Sequence, residues 1–242
     1  MLRPRANAHN ATLSKDSAVI TVRFLQISDM DALIELENRK WDRNQAASRE
    51  DLEFRIRRFP RFSIGAFSAT GELLASVFMR PMSGQQISAA KNWSECAHSD
   101  DEDPQTRSLF GISLSSIDAA AVEEIFAFFW PYALRSGWRD IYLGSPLPGL
   151  RSWRRKNPEP DVSAYVYEKR DGLPRDPQLR YYHQKGFREI VAHKPDYFPH
   201  EASLDHGAVI RLRIPLIGLS PVLRLLPVGL LAPFRGLLFR FL

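Results

Sequence analysis

The stretch from Ser108 to Leu143 constrains the fold more than any other part of this chain, because two strand-like runs enclose one long, strongly apolar helix. Ser108 to Ser115 (SLFGISLS) reads as a strand, Ala119 to Leu134 as the helix and Asp140 to Leu143 as the next strand. Asp118 suits the helix N-cap and Gly137 the left-handed position that closes it, while Pro131 must kink the helix or shorten its hydrogen-bonded part. The central helix therefore crosses between two neighbouring strands. With 242 residues, 44% hydrophobic and 25% charged, the chain can surround that crossover with one large domain and an ample core.

The flanking segments supply further elements. Ala18 to Leu25 (AVITVRFL) alternates like a strand, and Ser28 with Asp31 stands at capping-box spacing before Leu33, Ile34 and Leu36. Ser48 and Asp51 repeat the pattern ahead of Leu52, Ile56 and Phe59, and Pro60 stops that second helix. Phe62 to Phe67 and Leu73 to Met79 flank Ala-Thr-Gly and predict a hairpin, whereas Pro81 to Arg107, rich in Gly, Ser and acids, predicts a long loop. Strands are expected again at Arg188 to Ala192 and Ala208 to Ile214. Residues 1–17 are polar and read as a disordered leader, which leaves 18–214 as the folded domain.

Between these lies Asp176 to Phe187, DPQLRYYHQKGF. Asp176 can cap the first helical turn, Pro177 suits its first position and Gly186 suits the left-handed residue after its last turn. By itself such a block favours packing, since tyrosines on amphipathic helices are mostly half-buried with a wet hydroxyl. The order β, α, α, β, β, β, α, β, α, β, β around it, with a tyrosine four residues before the glycine, resembles the GNAT (GCN5-related) acyltransferases. Trp41, the run Ser48 to Pro60, Asp176-Pro177 and PDYFPHEAS are similar to a larger GNAT subgroup that includes loading domains of polyketide synthases. The resemblance implies an α/β (α+β) fold, a mixed central sheet of about seven strands flanked by helices.

The same resemblance implies a site. Tyr182 would protonate the thiolate that leaves an acyl thioester, and His183 is the nearby candidate base. The loading domains place a histidine where Tyr182 stands, and a shift of one place turns a helical side chain by about 100°. Phe198 also replaces an arginine expected after the late tyrosine. The edge of the Ser108 strand, at Ile112, Ser113 and Leu114, would pair with pantetheine amides, and Ala120, Ala121 and Val122 would offer N–H groups to a coenzyme A diphosphate. That loop reads IDAAAV and lacks both the cation and the glycines of the family. Asp118 there would cost a diphosphate about 4 kcal/mol at about 4 Å and an effective dielectric near 20, comparable with a thousandfold loss in affinity.

Three explanations stay open: a donor other than free coenzyme A, a diphosphate held by other cations, or a fold without catalysis. For the first, Arg151, Arg154, Arg155 and Lys156 crowd an irregular segment after Gly144 and offer a dock for an acidic acyl carrier protein. The expected activity is acyl transfer from acyl-CoA or a carrier to an amine or thiol. The alternative is a module that binds acyl thioesters or a carrier without turnover. The net charge of +5 permits nucleic acid, but no recognised motif supports it. No metal site is expected from six scattered histidines, and the lone Cys96 excludes an intramolecular disulfide framework, consistent with a cytoplasmic chain.

Composition changes abruptly at Pro215. Residues 215–242 contain three arginines, no acids and a large apolar residue at more than half of the positions, with prolines at 215, 221, 227 and 233. Those prolines argue against one straight spanning helix of about twenty residues. Two placements remain. The tail either packs on its own domain or a second subunit, or it docks at a membrane interface, with Arg224, Arg235 and Arg240 reaching phosphates while Phe234 and Phe239 enter the acyl boundary.

Overall fold

The computed structural model describes residues 19–41, 46–101 and 103–237, with only the backbone of Ala232, Arg235 and Leu237. The expected leader, and Phe239 and Arg240 of the tail, lie outside the described residues. The chain runs β1 (Thr21–Phe24), α1 (Met30–Lys40), α2 (Arg49–Arg58), β2 (Ser63–Phe67), β3 (Leu73–Pro81), α3 (Gly84–Ala89) and α4 (Trp93–His98). Then come β4 (Ser108–Ser116), α5 (Ala119–Ser136), β5 (Asp140–Pro146), α6 (Leu150–Lys156) and α7 (Val162–Val166). A small hairpin, β6 (Lys169–Arg170) and β7 (Leu173–Pro174), precedes α8 (Pro177–Gln184), β8 (Glu189–Lys194) and β9 (Gly207–Arg213).

Seven strands form one sheet in the order β1-β2-β3-β4-β5-β9-β8. Every neighbouring pair is antiparallel except β4 and β5, which run parallel with α5 as their crossover. One face carries α5, α6, α7 and α8 over a core that includes Ile125, Phe129, Trp153 and Leu179. The other carries α1 to α4 over Leu33, Leu52, Ile87 and Phe110. The fully buried runs of β2 and β3 follow from this sandwich, since both of their faces are covered.

Local chemistry explains most boundaries and corrects three expectations. The box at Ser48 and Asp51 forms, with the Asp51 N–H on Ser48 Oγ at 3.1 Å. The box at Ser28 and Asp31 does not. Asp29 holds the Gln26 N–H at 2.8 Å and both Arg23 nitrogens at 2.7 Å, so a 3-10 turn at Ile27–Asp29 leads into α1. The segment after Pro81 is no plain loop: Ser83 caps α3 through Gln86, Asn92 caps α4 through Glu95, and Ile87, Cys96 and Ala97 are buried. Arg151 to Lys156 lies on α6, not on irregular chain. Pro131 sits inside α5 without ending it, and Gly137 closes the helix at φ 76°.

Candidate functional site

The sheet opens at β4 and β5, the one parallel pair among the described residues. β4 and β5 are in register from Ser108 opposite Asp140 to Gly111 opposite Leu143, and beyond that rung they part. Gly111 is the contact point, because a Cβ there would lie 2.2 Å from Leu143 Cδ2. A bulge opposite Phe78 and Met79 leaves Ile112 without a partner on β3 and bends β4 away. Trp93 Nε1 donates to the Ile112 carbonyl at 3.0 Å, so one of the expected pantetheine acceptors is already engaged.

A cavity of about 210 Å³ adjoins the gap on the α5 face. Leu114 of β4, Leu143 of β5, Val122 and Phe126 of α5, and Tyr181, Tyr182 and Phe187 of the α8 region line it, and Trp130, Leu212 and Pro215 extend its apolar wall. It exceeds the roughly 150 Å³ of an apolar cavity that takes up benzene. Glu123 of α5 and Lys185 after α8, also in the wall, form an ion pair at 2.5 Å across it.

Asp176 aims α8 at that cavity. Its buried carboxylate caps α8 by accepting the Gln178 N–H at 2.9 Å, and its other oxygen accepts the Tyr165 hydroxyl at 2.7 Å and the Gly149 N–H at 3.1 Å. One side chain thus ties together the starts of α6 and α8 and the middle of α7. Gly186, at φ 94°, then turns the chain so that Phe187 packs on the Tyr182 ring, centroids 5.9 Å apart. Burial raises the Tyr182 hydroxyl above its ordinary pKa, partly opposed by its hydrogen bond with Gln178. The phenol is therefore protonated at neutral pH.

His183 does not join it. The imidazole is absent from the cavity wall, and its pKa is lowered by burial, then by the positive charges of Arg188 and Lys169. Cys96, wholly buried, has its thiol pushed up to about 11 by desolvation and is not a nucleophile at neutral pH. Among the described residues no group of His, Cys, Asp and Glu could hold a metal ion.

At the N-terminus of α5 the Asp118 carboxylate accepts the N–H of Ala120 at 2.7 Å and of Ala121 at 3.3 Å. Ser116 Oγ in turn donates to the Asp118 carbonyl at 2.6 Å. Two of the amides that would meet a diphosphate are occupied by the chain's own acid. On α6, Arg151 pairs with Glu201 and Arg154 bonds the Pro160 carbonyl, whereas Arg155 and Lys156 are exposed. In the tail Arg224 and Phe234 are exposed.

Sequence reasoning missed the other side of the gap. Ser113 and Ser115, both past the last β4–β5 rung, point at α1 and α2. Glu37, 2% exposed, accepts from Ser115 Oγ and from the Ala47 N–H at 3.0 Å, while Trp41 Nε1 donates to Ser115 Oγ at 2.7 Å. Arg55, 4% exposed, donates to Ser113 Oγ at 3.3 Å and lies 5.7 Å from the Phe78 ring centroid. The available signal was two polar residues, Glu37 and Arg55, on the apolar faces of their helices.

No family model matches the sequence, and no curated protein matches it. Solved structures do. The loading GNAT-like domain of CurA from Lyngbya majuscula has a TM-score of 0.67 at 18% identity, covering 81% of this chain and 98% of that one. The GphF GNAT-like decarboxylase in complex with isobutyryl-CoA has a TM-score of 0.64 at 23% identity, covering 80% and 99%. A malonyl-CoA decarboxylase from Rhodopseudomonas palustris reaches 0.55 at 13% identity, covering 86% and 66%. The chain has the GNAT fold.

Proposed function

We propose that this chain processes an acyl thioester at the parting of β4 and β5, with acyl transfer to an amine or a thiol as the leading reaction. The observation that carries the reading is the meeting of an unpaired β4 edge with the Tyr182 phenol on one apolar cavity. The acceptor attacks the thioester carbonyl, the carbon–sulfur bond breaks, and the thiolate takes the Tyr182 proton; the acceptor's released proton goes to solvent and restores the phenol. His183, being outside the cavity wall, is not supported as the base by its placement. GphF, which shares the fold, is in complex with isobutyryl-CoA, and this supports a thioester ligand through fold alone.

Asp118 favours a donor carried on a phosphopantetheine arm, which has one phosphate and no nucleotide, over free coenzyme A. Arg155 and Lys156, exposed on α6 beyond the end of β5, are the cations best placed to meet an acidic carrier. The same sealed helix terminus favours a second reading, a module that binds acyl thioesters or a carrier without turnover and is held at a membrane or partner by its tail.

The test compares acyl-CoA with the same acyl group on carrier proteins, using the full chain and Tyr182→Phe. The first reading expects turnover of the carrier-bound donor and a kcat about a hundredfold lower in Tyr182→Phe. Equal kcat in the variant would remove the acid role, and binding without turnover of any donor would select the second reading.

A further inference from the structure

After β9 the chain crosses the end of the sheet and returns along α5. Trp130 Nε1 donates to the Pro215 carbonyl at 3.1 Å, Ser220 Oγ approaches Gly137, and Leu231 is buried. Short turns, with Pro221 in the first, Pro227 between turns and Pro233 in the last, pack on α5. Leu219, Val222, Leu225, Leu230 and Phe234 stay exposed, Val222 at 65% and Leu225 at 78%. These exposed apolar side chains recur through a segment without an acid. Among the described residues no helix is long and apolar enough to cross a membrane.

The sheet end beside the tail is basic. Arg139 N donates to the Arg107 carbonyl at 2.6 Å, and the Ile214 N–H donates to the Arg139 carbonyl at 2.8 Å. Arg107 and Arg139 thus sit side by side at the starts of β4 and β5 and, in line with Ile214, belong to the sheet face that carries α5, where the tail begins. Both are exposed, as is Arg224.

We propose that this face docks on an anionic phospholipid surface, with the exposed apolar side chains of the tail in the acyl boundary and Arg107, Arg139 and Arg224 on the phosphates. Charge selects this occupant. A two-fold contact between copies through the same patch would set arginines against arginines, whereas an anionic bilayer neutralises them all. Because Ile214 and Pro215 also line the cavity, docking brings the cavity wall to the lipid. The proposal does not depend on catalysis.

The full chain is mixed with vesicles of phosphatidylcholine, alone or with phosphatidylglycerol, and the bound fraction is read by flotation. Binding to the mixed vesicles is expected to exceed that to phosphatidylcholine about tenfold or more, and to fall about tenfold in Arg107→Glu/Arg139→Glu and in Leu225→Glu. The exposure of these positions lets the variants keep the wild-type circular dichroism, and Leu225→Ser is a second, milder probe. Equal binding to both vesicles, no binding to either, or a concentration-dependent dimer that Leu225→Glu dissolves without any vesicle binding would overturn it.

Discussion

Asp118 is the N-cap of α5 and an anion at the helix terminus proposed to face a donor's phosphates, and the two roles can be separated. Its carboxylate holds the Ala120 and Ala121 amides, which a serine hydroxyl can also do without the charge. Asp118→Ser is therefore expected to change stability by only about 0.5 kcal/mol while tightening coenzyme A binding about tenfold or more. Calorimetric titration of both proteins checks this, and an unchanged Kd would mean that something other than the carboxylate limits the cofactor. This residue was readable from IDAAAV because capping is local. Glu37 and Ser115 were not, since the bond between them joins positions 78 apart in the chain and only the sheet brings them together.

The helix α8 depends on contacts that its own sequence does not contain. Asp176, Pro177 and Gly186 define where it starts and stops, but its direction comes from the Asp176 carboxylate reaching Tyr165 and Gly149. Asp176→Ala leaves a buried phenol, a backbone amide and a cap unsatisfied together, which should cost on the order of 3 kcal/mol. Tyr165→Phe removes one bond and should cost about 1 kcal/mol. Urea denaturation with both variants tests the ranking, and equal losses would contradict the role of Asp176 as the shared tie. The helices α3 and α4 escaped the sequence reading for a related reason. Each has six residues, too few for an amphipathic period, and each is held by a side-chain cap and by burial against the sheet.

For the whole molecule, the first turn after β1 gives a pH handle on stability. Hydrogen bonding to Arg23 is the largest influence on Asp29 and holds its carboxyl below the usual carboxylate range, with the Gln26 N–H helping. A depressed folded pKa means that this contribution is present above the unfolded value, near 3.9, and is lost as pH falls through the folded value. Arg23→Ala should accordingly lower stability at pH 7 and lose that difference in acid, once the pH has fallen through the depressed folded value of Asp29. Thermal unfolding at both pH values reads it, and a difference that persists in acid would assign the effect to packing of Arg23 on Phe67, 4.1 Å from the ring centroid, instead. The sequence by itself determined the order of the seven sheet strands and of α1, α2, α5 and α8, the crossover at α5, the second capping box, the stop at Gly186 and the abrupt onset of an apolar tail, because each is written in neighbouring residues through capping, periodicity and turn chemistry. Only the tertiary structure decided that β4 and β5 part at Gly111, that Tyr182 and not His183 reaches the cavity, and that the tail covers α5 while leaving one apolar face bare. Those outcomes rest on close approaches between distant segments, such as Leu143 over Gly111 and Trp130 on Pro215, whose energies appear only once the sheet has formed.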